Sequence, residues 1–507
     1  MTRSLIRTIV TPAAMLLALQ VSASPPESQD PDTRAWWGIT AELSNDAMEG
    51  RDTGAPGYDR AAQVVAAKFA AAGLKPLGEK GGWLQPVALN EIRFDRVTVA
   101  VGDRPLKFLY DFALKPSGSM ATALEAGLAY RGYCDSATMG DVKGKLVICH
   151  GTHRAGLPSA KEREVAVKAA GGAGILTIAD PGFVVEPPRW PFPYTRTVSL
   201  VGAKSEPAGL MDIRLNAAAL DKVIGPRHDA ADLIAKGSAG APLPAFDVAE
   251  RFHAAFTVSS RQIASSNVVG MLPGSDRTKA GEAIVVSAHL DGYGRGESIA
   301  GDDIYNGTLD DAAYVALLVR LAQRRQGKGF PRPLIFAVFT GEEKGLFGSQ
   351  QFLADPPVPK NQMAANINLD QLRPIFPLDL LTVHALDETS LGDDARAVAK
   401  RLGIAVQRDP EPERNLLQRS DQWNFIEAGI PATAFVFGYR PGTESERIYR
   451  RWYTTGYHTP QDDLKQSIDW QAAADFNAFF YALVEQVAGK ETGPVWKEGS
   501  KLRPKPH

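Results

Sequence analysis

His289, Asp291, Asp310, Glu342, Glu343, Asp370 and His458 are the residues whose types and placement could do chemistry in this sequence. Most follow a short apolar stretch of strand character. His289 and Asp291 come directly after 283–288, Glu342 and Glu343 after 334–339, and Asp370 at the end of 365–369. Asp310 and Asp311 open a helix after a Gly-containing loop, and His458 lies in Gly456-Tyr457-His458-Thr459-Pro460, beyond the apolar stretch 433–437. Two imidazoles with three carboxylates form a donor set suited to Zn2+, which accepts nitrogen and oxygen ligands. The adjacent Glu342 and Glu343 are informative: one carboxylate can ligate a cation while its neighbour moves a proton. The chain has only two cysteines, Cys134 and Cys149, so a Cys-rich zinc site is excluded and any metal must be held by His and carboxylates.

These residues need a scaffold that brings separate strand ends to one rim. From Ser265 the sequence alternates short apolar strands (267–271, 283–288, 334–339, 365–369) with helices (about 311–324 and 345–353), the pattern of an α/β fold whose mixed, mostly parallel sheet is sandwiched by helices. In such sheets ligands bind beyond the carboxyl ends of the strands. Upstream, helical periodicity is expected around 36–43 and 58–72, the second stopped by Gly73, with strands at 83–89 and 94–101. Between them, 106–261 reads as an insert without metal-ligand spacing. It carries β-rich apolar stretches separated by Gly and Pro, and one helix from Ser159, a plausible N-cap, to Ala170. The expected organisation is a leader (1–23), a discontinuous catalytic domain (30–105 and 262–490), an inserted domain (106–261) and a frayed basic tail (491–507).

The segments His289-Leu290-Asp291, Asn306-Gly307-Thr308-Leu309-Asp310-Asp311-Ala312-Ala313, Thr340-Gly341-Glu342-Glu343-Lys344-Gly345-Leu346-Phe347-Gly348-Ser349, Asn368-Leu369-Asp370 and Tyr457-His458-Thr459-Pro460 resemble the two-zinc aminopeptidases of metallopeptidase family M28. Met48-Glu49-Gly50-Arg51 is similar to that family's opening segment, and 144–148 with 168–178 to a protease-associated domain. The resemblance implies two Zn2+ per chain bridged by Asp310. His289 and Asp370 would complete one site, and Glu343 and His458 the other. Glu342 would be the general base activating a metal-bound hydroxide. Asp291 would orient His289, since a ligating His usually donates its other N–H to a carboxylate. Tyr457 could donate a hydrogen bond to the oxyanion. The implied activity is hydrolysis of N-terminal peptide bonds. Rival readings are a carboxypeptidase or other amidohydrolase on the same metal pair, a one-zinc glutaminyl cyclase, or an inactive binding homologue. The family commonly has Ser-Gly where this chain has Ala313-Tyr314, which affects packing beside the bridging residue.

The remaining features are bland or exclusionary. A net charge of −2 and the lack of a basic run exclude a nucleic-acid partner. Arg3 and Arg7, the apolar 9–19 and Val21-Ser22-Ala23 predict a secretory signal cut after Ala23, hence export to the periplasm or medium without a stable membrane anchor. No Gly-x-Ser-x-Gly elbow supports a serine hydrolase. Asp302 and Asp303 read as loop residues, Asp311 as a helix cap or a group supporting a ligand, Asp462 and Asp463 as helix caps, and Ser420-Asp421 as supporting groups. His150, His153, His228 and His253 read as surface or loop histidines, and His384 as a structural one.

Overall fold

In the computed structural model, residues 29–203, 210–370 and 373–505 are described. The expected signal segment 1–23 lies outside them. The principal strands are β1 (Leu84–Val101), β2 (Ala123–Tyr130), β3 (Leu146–His150), β4 (Gly174–Ala179), β5 (Met211–Asn216), β6 (Phe246–Leu272), β7 (Ala283–His289), β8 (Leu334–Phe339), β9 (Met363–Asn368), β10 (Leu380–His384), β11 (Ala405–Gln407) and β12 (Ala432–Phe437). One large mixed sheet runs in the order β11-β10-β12-β9-β7-β8-β6-β2-β3-β4-β5. The strands β12, β9, β7 and β8 are mutually parallel, as are β2, β3, β4 and β5. The fold is thus α/β with a large, mostly parallel sheet flanked by helices.

Strands β7 and β8 are buried along their whole length, because helices cover both faces of the sheet there. One face packs on helices Pro31–Ser44, Pro56–Ala71, Ala313–Arg325, Ser390–Arg401 and Trp470–Gly489. The other packs on Phe347–Ala354 and Gln422–Glu427. A second apolar core, built from Val99 to Phe256, lies against β2–β5 and is separate from both. On the opposite face of β3 and β4, Cys134 and Cys149 are buried and bonded, with Cα atoms 5.4 Å apart. No helix among the described residues is long and apolar enough to cross a membrane.

Four sequence expectations change. The strands expected at 83–89 and 94–101 are one strand, β1, which pairs with the 27-residue β6 along most of its length. The 267–271 stretch is the far end of β6, so a boundary at 261 falls within a strand. A two-stranded ribbon therefore carries the chain from one core to the other. Its alternating burial reads as separate short strands in sequence because each half changes the core it faces. The tail is docked rather than frayed as far as Leu502. The Trp496 indole N–H donates to the Gly429 carbonyl (2.8 Å), and Glu388 receives Ser500 Oγ (2.5 Å). Segment 106–261 also contains parallel strands and helices, so it is α/β in texture rather than simply β-rich.

Candidate metal centre

His289 is the last residue of β7, and its Nδ1 lies 3.0 Å from the Asp291 carbonyl oxygen. A carbonyl can only accept, so the proton belongs on Nδ1 and the Nε2 lone pair faces the site. There Nε2 meets Asp310 Oδ1 at 3.2 Å and Asp370 Oδ1 at 3.8 Å. His458 Nε2 meets the other Asp310 oxygen, Oδ2, at 3.2 Å and Glu343 Oε1 at 3.2 Å. His289, Asp310 and Asp370 form one triad and Asp310, Glu343 and His458 another, with donor atoms all within 4.8 Å of one another in each. Asp310 belongs to both, one oxygen to each.

These groups fit a pair of cations. His289 Nε2, Asp310 Oδ2 and Asp370 Oδ1 are buried without a well-formed hydrogen bond. Buried polar atoms are normally paired, and lone pairs converging in this way repel unless a cation lies between them. Burial would raise the Asp310 carboxyl, but without a metal the two imidazoles, when protonated on the Nε2 beside its oxygens, hold it far below the usual carboxylate range. Burial opposes the charge on His289, while Glu342, Asp311 and Asp310 push it well upward. Glu342 is raised by burial and by repulsion from Asp370, Glu343 and Asp421, with His289 opposing. Its carboxylate lies 4.0 Å from His289 Nε2, so it reaches the same space without belonging to either triad.

Local geometry delivers each group. Gly341, at φ +68°, turns the chain from β8 into a short helix that begins at Glu342. Asp291 was expected to receive the His289 imidazole through its carboxylate; its backbone carbonyl does so instead, and the carboxylate stands 3.8 Å from Nδ1. That carboxylate accepts the backbone N–H groups of Glu342 (3.1 Å) and Glu343 (3.3 Å) and the Thr53 hydroxyl (3.0 Å). Asp291 thus fixes the glutamate pair. Asp310 lies not in a helix but in a wide π-type turn, Thr308–Ala312, and helix Ala313–Arg325 begins after it. Asp310 is joined to Asp311 by a cis peptide. Gly307, at φ +56°, leaves no room for a side chain, because a Cβ would come 2.3 Å from the Asp310 carbonyl oxygen. Beneath Asp370, the Asn368 amide donates to Ser420 Oγ (2.8 Å) and Gln422 Oε1 (2.9 Å). Ser349 donates to Asp421, whose carboxyl burial lifts to about 7.

Several supporting residues were not expected, or were given another role. Asp462, read as a helix cap, accepts the backbone N–H groups of Leu309 (2.9 Å) and Asp310 (3.0 Å) and so holds the residue that both triads share. Asp311, expected either to cap the helix or to support a ligand, accepts the His289 backbone N–H at 3.1 Å. Arg51 is fully buried and donates to the carbonyls of Leu290, Leu43, Asn306 and Gly307, stitching the loops that carry His289 and Asp310. Tyr293 and Tyr457 flank His458, with ring centroids at 4.5 and 3.7 Å. The buried Tyr314 packs against Phe476 in the core, and the Ala313 carbonyl accepts the Trp36 indole N–H (2.8 Å). Asp303 pairs with Arg295 and Asp463 caps Lys465, both away from the triads. His150 is buried beside Asp180, His153 and His228 stack on Phe183 and Phe246, and His384 is buried at the end of β10.

Residues 267–484 match the model of Peptidase family M28. The matched segment is under half of the chain. It contains both triads and Glu342 but not Arg51 or segment 106–261. A curated relative, a "Probable zinc metalloprotease" of Pyrenophora teres f. teres, is 31% identical over 140 residues, or 26% of this chain. The chain spans only 30% of that relative's length. Among solved structures, an aminopeptidase from Aneurinibacillus sp. strain AM-1 superposes with a TM-score of 0.61 at 18% identity, covering 90% of this chain and 93% of that one. A zinc aminopeptidase from Bacillus subtilis gives 0.59 at 18% identity, covering 91% and 96%. These likenesses extend the shared fold beyond the M28 segment to most of the chain.

Proposed function

We propose that this protein is an exported co-catalytic two-zinc aminopeptidase that hydrolyses N-terminal peptide bonds. The observation that carries the reading is the pair of triads sharing Asp310, each with a neutral-capable imidazole and buried lone pairs aimed inward. His289 and Asp370 would hold one Zn2+, Glu343 and His458 the other, and Asp310 both. The ions would supply Lewis acidity toward the scissile carbonyl and make the attacking water more acidic. Glu342, within the same cavity but outside both triads, takes the proton from that water and returns it to the leaving amine. Asp291 aims Glu342 and Glu343 through their backbone amides. Tyr457, stacked on His458, stands in the wall of the cavity where an oxyanion would develop. The carboxylates of this cavity also suit a substrate's free α-amine, which favours cleavage from the N-terminus. Segment 106–261 is assigned as an inserted protease-associated-type domain, and the uncleaved chain as the exported precursor.

Glu342→Gln is the decisive variant. It should bind two equivalents of zinc like the parent and lose at least a thousandfold in kcat on aminoacyl-p-nitroanilides. Near-parental turnover would remove Glu342 from its role. Activity on N-blocked substrates alone would refute the aminopeptidase reading and leave the metal centre standing.

A further inference from the structure

One carboxylate of segment 106–261 reaches the metal centre's wall. Glu186 lies in an irregular strap, 181–195, that crosses from the second core to the first. It is 14% exposed and engages Arg419 with both oxygens, at 2.8 and 3.0 Å, while Arg414 Nε approaches at 3.3 Å. A two-point Arg–carboxylate pair fixes the orientation of the guanidinium as well as its place. Arg419 in turn approaches the Tyr457 hydroxyl at 3.5 Å, and Tyr457 stacks on His458. From the same strap, Arg189 lies over the Tyr457 ring at 4.7 Å and donates to the Tyr453 carbonyl.

Arg419 also lines the roughly 410 Å3 cavity that contains Asp310, Glu342, Glu343 and Asp370. A guanidinium without its partner would be drawn to those carboxylates, and it is the chemical equal of a cation competing for them. Lys344 and the exposed Lys115 also line the cavity, and Lys344 has its own acid, Asp52, at 3.4 Å. Glu186 is the acid that retains Arg419.

We propose that Glu186 is a positioning residue for the metal centre: by holding Arg419 against the strap, it keeps that guanidinium off the metal-binding carboxylates and under Tyr457. Segment 106–261 is on this view a working part of the site. The catalytic arm of the test rests on the proposed aminopeptidase reading; the metal-binding arm does not. Zinc affinity should be measured by chelator competition, and kcat and KM on an aminoacyl-p-nitroanilide, for the parent, Glu186→Gln, Glu186→Asp, Arg419→Gln and the double variant Glu186→Gln/Arg419→Gln. Glu186→Gln should bind zinc about tenfold more weakly and lose about tenfold in kcat at saturating zinc. Removing Arg419 as well should restore zinc affinity to near the parent value, and Glu186→Asp should fall between. A purely structural role would leave the double variant no better than the single one, and that result overturns the proposal. Should Glu186→Gln fail to fold, Arg419→Gln decides: zinc affinity equal to or above the parent is expected, and a tenfold loss overturns it. Failure of the parent on every aminoacyl substrate would instead refute the function, with the zinc titrations still diagnostic.

Discussion

Asp462 offers the sharpest test of how the shared ligand is held. Its two oxygens each accept one backbone N–H, from Leu309 at 2.9 Å and from Asp310 at 3.0 Å, and its Oδ1 also receives Gln466. Asp462→Asn keeps the shape but can accept through only one oxygen, so its NH2 must face a buried N–H. One charge-assisted hydrogen bond is lost and one amide is left unpaired, together about 2–4 kcal/mol. The strain falls on the turn that carries Asp310, whose oxygens serve both triads. Loss of such supporting contacts typically costs about 10–100-fold in metal affinity. Zinc should therefore bind both positions more weakly, not one selectively.

The assay is a chelator-competition titration at pH 7 beside thermal unfolding of the metal-free protein. The reasoning requires a lower Tm without metal and at least a tenfold loss of zinc affinity. Affinity within twofold of the parent would refute it, as would loss confined to one zinc, because Asp310 could not then be the group that Asp462 controls.

Three further outcomes follow from particular contacts. Tyr314 carries a buried hydroxyl without a hydrogen-bond partner, so Tyr314→Phe should hold or raise Tm, the unpaired polar atom having cost about 1–3 kcal/mol; a drop of several degrees counts against this. Cys134 and Cys149 are 15 residues apart in sequence, and replacing both with alanine should destabilise by about 3 kcal/mol on the loop-entropy account, measured by urea unfolding under non-reducing conditions. Burial would raise Glu186, yet Arg419, Arg414 and Arg189 depress it to about 2. Its stabilisation is then complete above the ordinary glutamate range near 4.3 and is lost as pH falls toward 2, by about 3 kcal/mol in all. The stability gap between the parent and Glu186→Gln should shrink between pH 7 and pH 3, and a constant gap contradicts the depressed pKa.

The donor set was legible because every member sits at a punctuation mark. His289, Glu342, Glu343 and Asp370 each interrupt or end an apolar run, and the hydrophobic pattern alone sends the carboxyl ends of parallel strands to one rim. The residues that aim them were not legible in the same way. Asp462 and Asp463 are neighbours of the same type, and only the return of the chain onto 308–310 gives one of them a ligand-holding role while the other caps a local turn. Asp291 was found, yet its contact was misassigned, because sequence spacing cannot say whether a carboxylate or its own backbone carbonyl faces an imidazole.

Arg51 and Glu186 mark a different limit. Met48-Glu49-Gly50-Arg51 stood out by family resemblance alone: the role of a buried arginine bonded to four backbone carbonyls leaves no physical trace, since carbonyls have no identity in sequence. Glu186 lies in a strap without periodicity, more than 200 residues before Arg419, and its partner is selected by how two cores dock along the β1–β6 ribbon. Hydrophobic pattern predicts each core separately but says little of what one core presses against the other. On that proposal the strap belongs with the site: Arg419, in the wall of the cavity that holds the candidate ligands, has its acid on a segment outside the M28 match, so residues 267–484 alone would carry those carboxylates without the group that holds Arg419.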